Sequence, residues 1–276
     1  PGRSSKFYGE SNMIFDNSGK RLYLACQGLK EIVIPEGVTV IEDSVFENNT
    51  VLEKITLPQS LVSIGSYAFS GCTALKNIVI PENLGEICSY AFSGSGLVSV
   101  TFPKTITSCG TNIFADCAFL ETVNFLEPPS GSSMIISDCM FKNCTSLKEI
   151  AIPRYERLSI GNEAFNGCTA LKKVTILSNA VDNNSYDTAS IFPEGIEIHG
   201  IDGSEVEEFA NACGREFVAI PGGSCGENLT WYFYEGTLHI EGSGAMTDYN
   251  NDPSSPELNA PWIHCEIADI DISDGV

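Results

Sequence analysis

One anchor phenylalanine returns along most of the chain, and it decides what the chain can fold into. Phe46, Phe69, Phe92, Phe114, Phe141, Phe165, Phe192 and Phe217 stand 23, 23, 22, 27, 24, 27 and 25 residues apart. Between them recurs F-x-x-(C/N)-x-x-L-x-x-I-x-I-P, as in FENNTVLEKITLP, FSGCTALKNIVIP, FADCAFLETVNFL, FKNCTSLKEIAIP and FNGCTALKKVTIL. The copy FSGSGLVSVTFP is one residue shorter. After the proline comes L-x-x-I-G-x-x-A-F, as in LVSIGSYAF (61–69). Self-similarity at such a period marks a repeat architecture. One unit cannot bury its apolar face alone, whereas stacked units share a continuous core.

Each unit reads as a coil of a β-rich, right-handed solenoid. The L-x-x-I-x-I stretch alternates apolar and polar residues, which predicts a short strand with one buried face. Pro35, Pro58, Pro81, Pro103 and Pro153 end that strand, because proline cannot continue a ladder. The following L-x-x-I predicts a second, shorter extended piece, and S-Y-A-F-S-G-C-T-A-L a tight helical turn. The expected fold therefore has one parallel sheet, a second short-stranded face and short helical turns. Two longer copies, EPPSGSSMIISD (127–138) and SNAVDNNSYDTAS (178–190), are expected to carry surface loops in place of the second strand.

The ends differ from the array. NMIFDNSGKRLYLA predicts a hairpin turning at Asn17-Ser18-Gly19, so residues 1–28 read as an N-terminal cap. The array spans 29–220. Near its end Glu205, Val206, Phe209, Ala210 and Cys213 have helical spacing, which predicts a terminal helix over the open end of the core. PGGSCG (221–226) reads as a linker. NLTWYFYEGTLHIEGSG predicts a second hairpin, turning at Glu235-Gly236, in a small β segment over 221–276. IADIDISDGV (267–276) matches LKEIVIPEGV (29–38), Gly275-Val276 falling on Gly37-Val38, so the chain is expected to run on into a second array. Because it starts at Pro1, it is also expected to be part of something longer.

Composition narrows the function. Hydrophobic residues make up 43% and charged residues 18% of the 276, which is globular rather than disordered. A net charge of -21 argues against nucleic acid and anionic membrane surfaces, which need clustered Lys and Arg. No run approaches the length of a membrane span. Beyond Arg215 there is no Lys or Arg at all, an asymmetry that hints at a second module.

The joint recurrence of A-F-x-x-C-x-x-L-x-x-I-x-I-P and L-x-x-I-G-x-x-A-F over 29–192 resembles the BspA-like class of leucine-rich repeats. CGENLTWYFYEGTLHIEGSGAMTDY, followed by APW (260–262), looks like the hairpin module that precedes such arrays in large bacterial surface proteins. The resemblance implies a secreted or wall-attached bacterial protein that adheres to host matrix proteins or other cells. Its implied partner is an extracellular protein or glycan on host or neighbouring cells, without nucleic acid or membrane insertion, and it implies no cofactor.

In leucine-rich repeats the outward positions of the first strand form one exposed face. Here the first column is Glu31, Lys54, Asn77, Ser99, Thr122, Glu149 and Lys173, and the second is Val33, Thr56, Val79, Thr101, Asn124, Ala151 and Thr175. Spaced about 4.8 Å from coil to coil, they make a broad, Thr-rich surface. Glu31, Lys54, Asn77, Ser99, Thr122, Asn124, Glu149 and Lys173 are the candidate ligand-binding residues, and Glu149 with Lys173 reads as a cross-strand ion pair. The bland alternative is a solvated sheet chosen for β propensity. A passive spacer and a carbohydrate-binding module are the other non-enzymatic readings. A β-helix polysaccharide enzyme would need Asp, Lys or Arg clustered on adjacent rungs, and neither column contains an Asp. There is no Ser/His/Asp set and no phosphate loop. Trp231 and Trp262, with Tyr232, Tyr234 and Tyr249, could stack on sugars but read as a small core. Asp248, Asp252 and Asp269 match no calcium motif, and the sequons at Asn48, Asn143, Asn183 and Asn228 matter only in a glycosylating host.

The eleven cysteines are the last feature to place. Cys72, Cys117, Cys144 and Cys168 each fall three residues after an anchor Phe, where other copies have Asn49 and Ser95. Cys, Asn and Ser share small size and hydrogen-bonding capacity. The column therefore reads as a buried ladder of free thiols that satisfies turn backbone, and not as a metal or redox site. Spacing assigns no redox state to Cys213, Cys225 or Cys265.

Overall fold

The computed structural model describes residues 7–10, 12–106, 108–129, 131–182, 187–247, 249, 260–262 and 264–272. The stretch 16–220 is a β-solenoid as the repeat predicts. Its first sheet is parallel throughout but falls into three ladders. Glu31–Val33 pairs Lys54–Thr56. Ser99–Phe102 pairs Thr122–Phe125. Glu149–Ile152, Lys173–Ile176, Glu197–Ile201 and Glu216–Ile220 form the third. Along each strand the apolar residues point into the core and the others point out, so Ile32, Ile55, Val100, Val123, Ile150 and Val174 are all buried.

Asn77–Ile80 was expected to be one of these strands and makes no ladder with either neighbour. The next turn is one residue shorter and is pressed against this coil. A Cβ on Gly96 would stand 2.1 Å from the Thr73 carbonyl oxygen. The contact between the two coils is carried instead by Val98 N–H donating to the Lys76 carbonyl.

The second face starts with an antiparallel sheet, Phe7–Glu10, Met13–Asp16 and Arg21–Ala25. The N-terminal hairpin thus has a third strand. Its last strand pairs Val40–Ile41 in parallel, followed by Ser63–Ile64, Glu86–Ile87 and Ser108–Cys109. The cap is therefore the first part of the second face. Ser133–Ile136, Arg157–Ile160 and Val181–Asp182 continue that face in a separate ladder. The expectation that both long copies lack the second strand is thereby corrected. Each copy keeps a strand because the buried face still needs Met134 and Ile136, or Val181, to close the core.

The A-F-x-x-C corner holds the coils together. Two residues in each corner have positive φ. Ser44, Tyr67, Tyr90, Asn112, Cys139 and Glu163 precede the anchor Phe by two, and Asn48, Gly71, Gly94, Asp116, Asn143 and Gly167 follow it by two. Gly, Asn and Asp at the second column lower the steric cost of that conformation. The first column tolerates Tyr at 67 and 90 because those N–H groups are fixed by the next coil. Ser44, Phe46 and Asn48 donate to the carbonyls of Ser66, Ala68 and Ser70, and Tyr67, Phe69 and Gly71 to those of Ser89, Ala91 and Ser93.

Inside the corner the phenylalanines stack. Phe46, Phe69, Phe92, Phe114, Phe141, Phe165 and Phe192 form one column with ring centroids 5.0 to 5.7 Å apart and planes within 14°. Phe217, the eighth anchor expected from spacing, is not part of it. It lies on a first-sheet strand opposite Ile198. The helix Val206–Ala212 supplies Phe209 instead, which meets Phe192 edge-on at 6.1 Å. The predicted terminal helix is present and buries Val206, Phe209 and Ala210 against the last coil.

Beside the stack runs the thiol column. Cys72, Cys117, Cys144 and Cys168 are fully buried, and each donates its S–H to a phenylalanine carbonyl of a preceding coil at 3.1–3.2 Å, namely Phe46, Phe92, Phe114 and Phe141. All eleven cysteines are unpaired. Burial pushes the Cys72 thiol up to about 12 and the Cys117 thiol up to about 11, and the thiolate is the reactive form. A thiol reagent should therefore label exposed Cys26 first and reach the column only on unfolding, with eleven equivalents consumed in denaturant. Rapid native labelling of Cys72 or Cys117 would contradict this arrangement.

Candidate functional site

After Ile220 the chain forms a second sheet. Gly222–Gly226, Leu229–Tyr234 and Thr237–Gly242 are antiparallel, and Asp269–Ile272 adds in parallel. Trp231 is buried, Trp262 packs on it edge-on at 5.5 Å, and Tyr249 meets Trp262 at the same distance. These rings form the module's own core. Of the acidic residues weighed for calcium, Asp269 is on the last strand, while Asp248 and Asp252 lie outside the described residues, as do Asn183, Gly275 and Val276.

This module folds back over the outer side of the first sheet. The fifth position of each first-sheet strand is Leu177, Ile201 and Ile220 in the last coils, and Tyr232 joins them in one buried cluster. Arg154 locks the arrangement by pairing with Glu241 at 2.8 Å and donating to the Thr230 hydroxyl at 3.0 Å. The Tyr232 hydroxyl donates to Glu241 at 3.1 Å. Next along the strand, Tyr234 and the buried Thr175 line the same cleft. Burial raises the Tyr234 hydroxyl, and nearby Glu235 and Glu149 add to the effect.

The sheet face is consequently divided. Over the first five coils it is open, and Glu31, Lys54, Asn77, Thr122 and Asn124 are exposed with Ser99 half-buried. Val33 and Val79, in the second column, are 66% and 79% exposed. Over the later coils the hairpin tip overhangs the face. It encloses a cleft of about 240 Å³ that brings together Thr122, Asn124, Glu149 and Lys173 with Tyr234 and Glu235. Four of the eight sequence-derived residues therefore share one cleft, and Glu31, Lys54, Asn77 and Ser99 stand apart from it. Tyr234 and Glu235 have no signal in the repeat, because they arrive from a module 60 residues further along the chain than Thr175. Glu149 and Lys173 are in register, as expected. Among the described residues no ion pair joins them, and the Lys173 ammonium lies 6.0 Å from the centre of the Tyr234 ring instead. Among the described residues no group of His, Cys, Asp and Glu is placed to hold a metal, and no helix is long and apolar enough to cross a membrane.

At the junction, the carboxyl of Glu127 is raised, first by burial and then by Glu241 and Asp271. A carboxyl raised in the folded state holds its proton more tightly there than in the unfolded chain. Its ionisation therefore opposes folding, and stability falls as pH rises from the ordinary carboxylate range through the raised pKa. Glu127→Gln should melt slightly higher than the parent at neutral pH, and the two should converge as the carboxyl is protonated in acid. A difference that persisted unchanged in acid would remove Glu127 from this role.

The parallel coils, the buried Leu/Ile faces and the outward strand positions define a leucine-rich-repeat solenoid. The BspA type leucine rich repeat region matches residues 16–121 and 116–190 in six copies, and the chain belongs to that family. Among solved structures, the pneumococcal vaccine antigen PcpA is similar over 78% of this chain at 16% identity and a TM-score of 0.51. This chain spans about half of that one, 47%. A leucine-rich repeat protein from Bacteroides ovatus aligns at 26% identity over 78% of this chain and 72% of its own, with a TM-score of 0.40. A leucine rich cell surface protein from Faecalibacterium prausnitzii aligns at 22% identity over 91% and 64%, with a TM-score of 0.45. No curated protein matches.

Proposed function

We propose that this chain is a non-enzymatic repeat scaffold displayed outside a bacterial cell, and that its first-sheet face binds a macromolecule of the host matrix or of another cell. One observation carries the reading. The face is flat and open over five coils, keeps two valines exposed among charged and hydroxyl side chains, and ends at a ledge made by the hairpin module. Membership of the BspA type family supports a location at the bacterial surface, and likeness to the fold of PcpA supports a scaffold rather than a catalyst. Within this reading residues 1–28 and the module over 221–276 bound an array at 29–220.

The test is an array of extracellular matrix proteins and glycans probed with this chain and with a Lys54→Ala, Thr122→Ala, Glu149→Ala variant. All three side chains are exposed, so the variant should melt like its parent. Binding to the captured partner should weaken about tenfold or more. Unaltered binding by the folded variant would defeat the sheet-face assignment and leave the spacer reading.

A further inference from the structure

Next to the cleft under the hairpin tip lies a second hollow on the open half of the face. It is a groove of about 350 Å³ lined by Val79, Ile80, Pro81, Thr101, Pro103 and Leu126, among others. The two hollows abut, since Thr101 of the groove pairs in register with Asn124 of the cleft. Leu126 occupies the same fifth position as Leu177, Ile201 and Ile220. Those three are buried in one cluster with Tyr232, whereas Leu126 is 41% exposed. The groove is thus the uncovered continuation of the surface on which the chain already seats one extended strand.

The two hollows differ in chemistry. The groove is mainly apolar and has no aromatic ring in its lining for a sugar to stack on. The cleft holds the carboxylates of Glu149 and Glu235, while its one cation, Lys173, lies by the Tyr234 ring. The chain as a whole carries a net charge of -21, which favours a cationic occupant at encounter. The hollows are centred about two coils apart, or roughly 10 Å at the sheet spacing. Roughly three residues of an extended chain span that distance, and side chains two or four residues apart point to the same side, within reach of both hollows.

We propose that the open half of the face takes one extended polypeptide segment of the partner. An aliphatic side chain of that segment enters the groove at Val79 and Leu126, and a lysine or arginine two or four residues away, on the same side of the segment, enters the cleft between Glu149 and Glu235. This rests on the sheet-face reading above and assigns the partner at that face as protein rather than glycan.

The probe is an immobilised set of peptides about ten residues long with leucine and arginine fixed two or four positions apart. Beside it stand the same set with glutamate for arginine, the same set with serine for leucine, and neutral glucose oligomers. The full 276-residue chain should be retained by the leucine–arginine set alone, and less so as salt rises. Glu149→Gln with Glu235→Gln, and separately Val79→Ser with Leu126→Ser, should each weaken retention about tenfold without changing the melting temperature. Equal retention by the glutamate set would overturn the charge assignment. Retention by the glucose oligomers alone, lost in these variants, would overturn the peptide assignment and leave the sheet-face reading standing. Retention of peptides that both variant pairs leave unchanged would place the site elsewhere and count against that reading as well. No retention of any set, with matrix binding still sensitive to the Lys54, Thr122 and Glu149 changes, would overturn only the linear-segment assignment.

Discussion

Phe69→Ala is expected to destabilise the protein by about 3–5 kcal/mol. The ring is fully buried and stacked on both faces, 5.0 Å from Phe46 and 5.2 Å from Phe92. Truncation removes the transfer free energy of the ring and leaves a cavity that the neighbours cannot close, because each is fixed by its own corner. Phe69 N–H donates to the Ala91 carbonyl, and Phe46 N–H to that of Ala68. In a solenoid each coil contacts only its neighbours, so weakening two interfaces at once divides the array. Denaturant unfolding should show the loss, with a less cooperative transition as the first coils uncouple. Phe69→Leu keeps part of the volume and should cost less. A Phe69→Ala protein with the parent's midpoint would refute the stacked column.

Arg215→Ala is expected to cost about 2–4 kcal/mol, from the charged hydrogen bonds it breaks. Its guanidinium donates to the carbonyls of Pro193 at 2.8 Å, Cys213 at 2.7 Å, Ala189 at 2.9 Å and Phe192 at 2.5 Å, and to Gly214 at 3.2 Å. The bond to Phe192 explains the residue. In earlier coils phenylalanine carbonyls such as those of Phe46 and Phe141 accept a thiol from a following coil. The last coil has no such neighbour, and Arg215 takes its place while also holding the end of the helix. Removing it strands several part-buried carbonyls. Hydrogen exchange should accelerate over 188–213, and Arg215→Lys should recover only part of the protection, since an ammonium cannot span all five acceptors. Unchanged exchange in Arg215→Ala would show that the end of the array closes without it.

Both effects concern features with different visibility in the sequence. The phenylalanine column, the Cys/Asn/Ser exchange and the inward Leu and Ile positions are all read from local period, because each coil poses the same burial problem and solves it with the same residues. Spacing also misleads where the period is broken for another reason. Phe217 keeps the interval of 25 residues from Phe192, yet a helix has been inserted between them and Phe209 closes the stack. Ser133–Ile136 was hidden because a polar loop precedes it, although its Met and Ile still meet the core. Asn77 was placed on a strand by pattern, but the one-residue deletion near Gly96 belongs to the following coil, and only the packed structure shows the ladder lapsing there. Asn49 fits the column by position, but its buried side-chain amide has no partner among the described residues.

The repeat period and composition were enough for the solenoid, the family resemblance, the face on which each repeated residue lies and the acidic net charge. These follow from period, residue size and charge, which are properties of each coil and its nearest neighbour. Only the tertiary structure decided where that face is open. The module after Ile220 could have extended away from the array. Instead Tyr232 found Leu177, Ile201 and Ile220, Arg154 found Glu241, and the tip came to rest over Thr175. Those contacts join residues tens of positions apart that belong to no shared repeat, so no local pattern records them, and they turn a uniform sheet into a groove and a cleft.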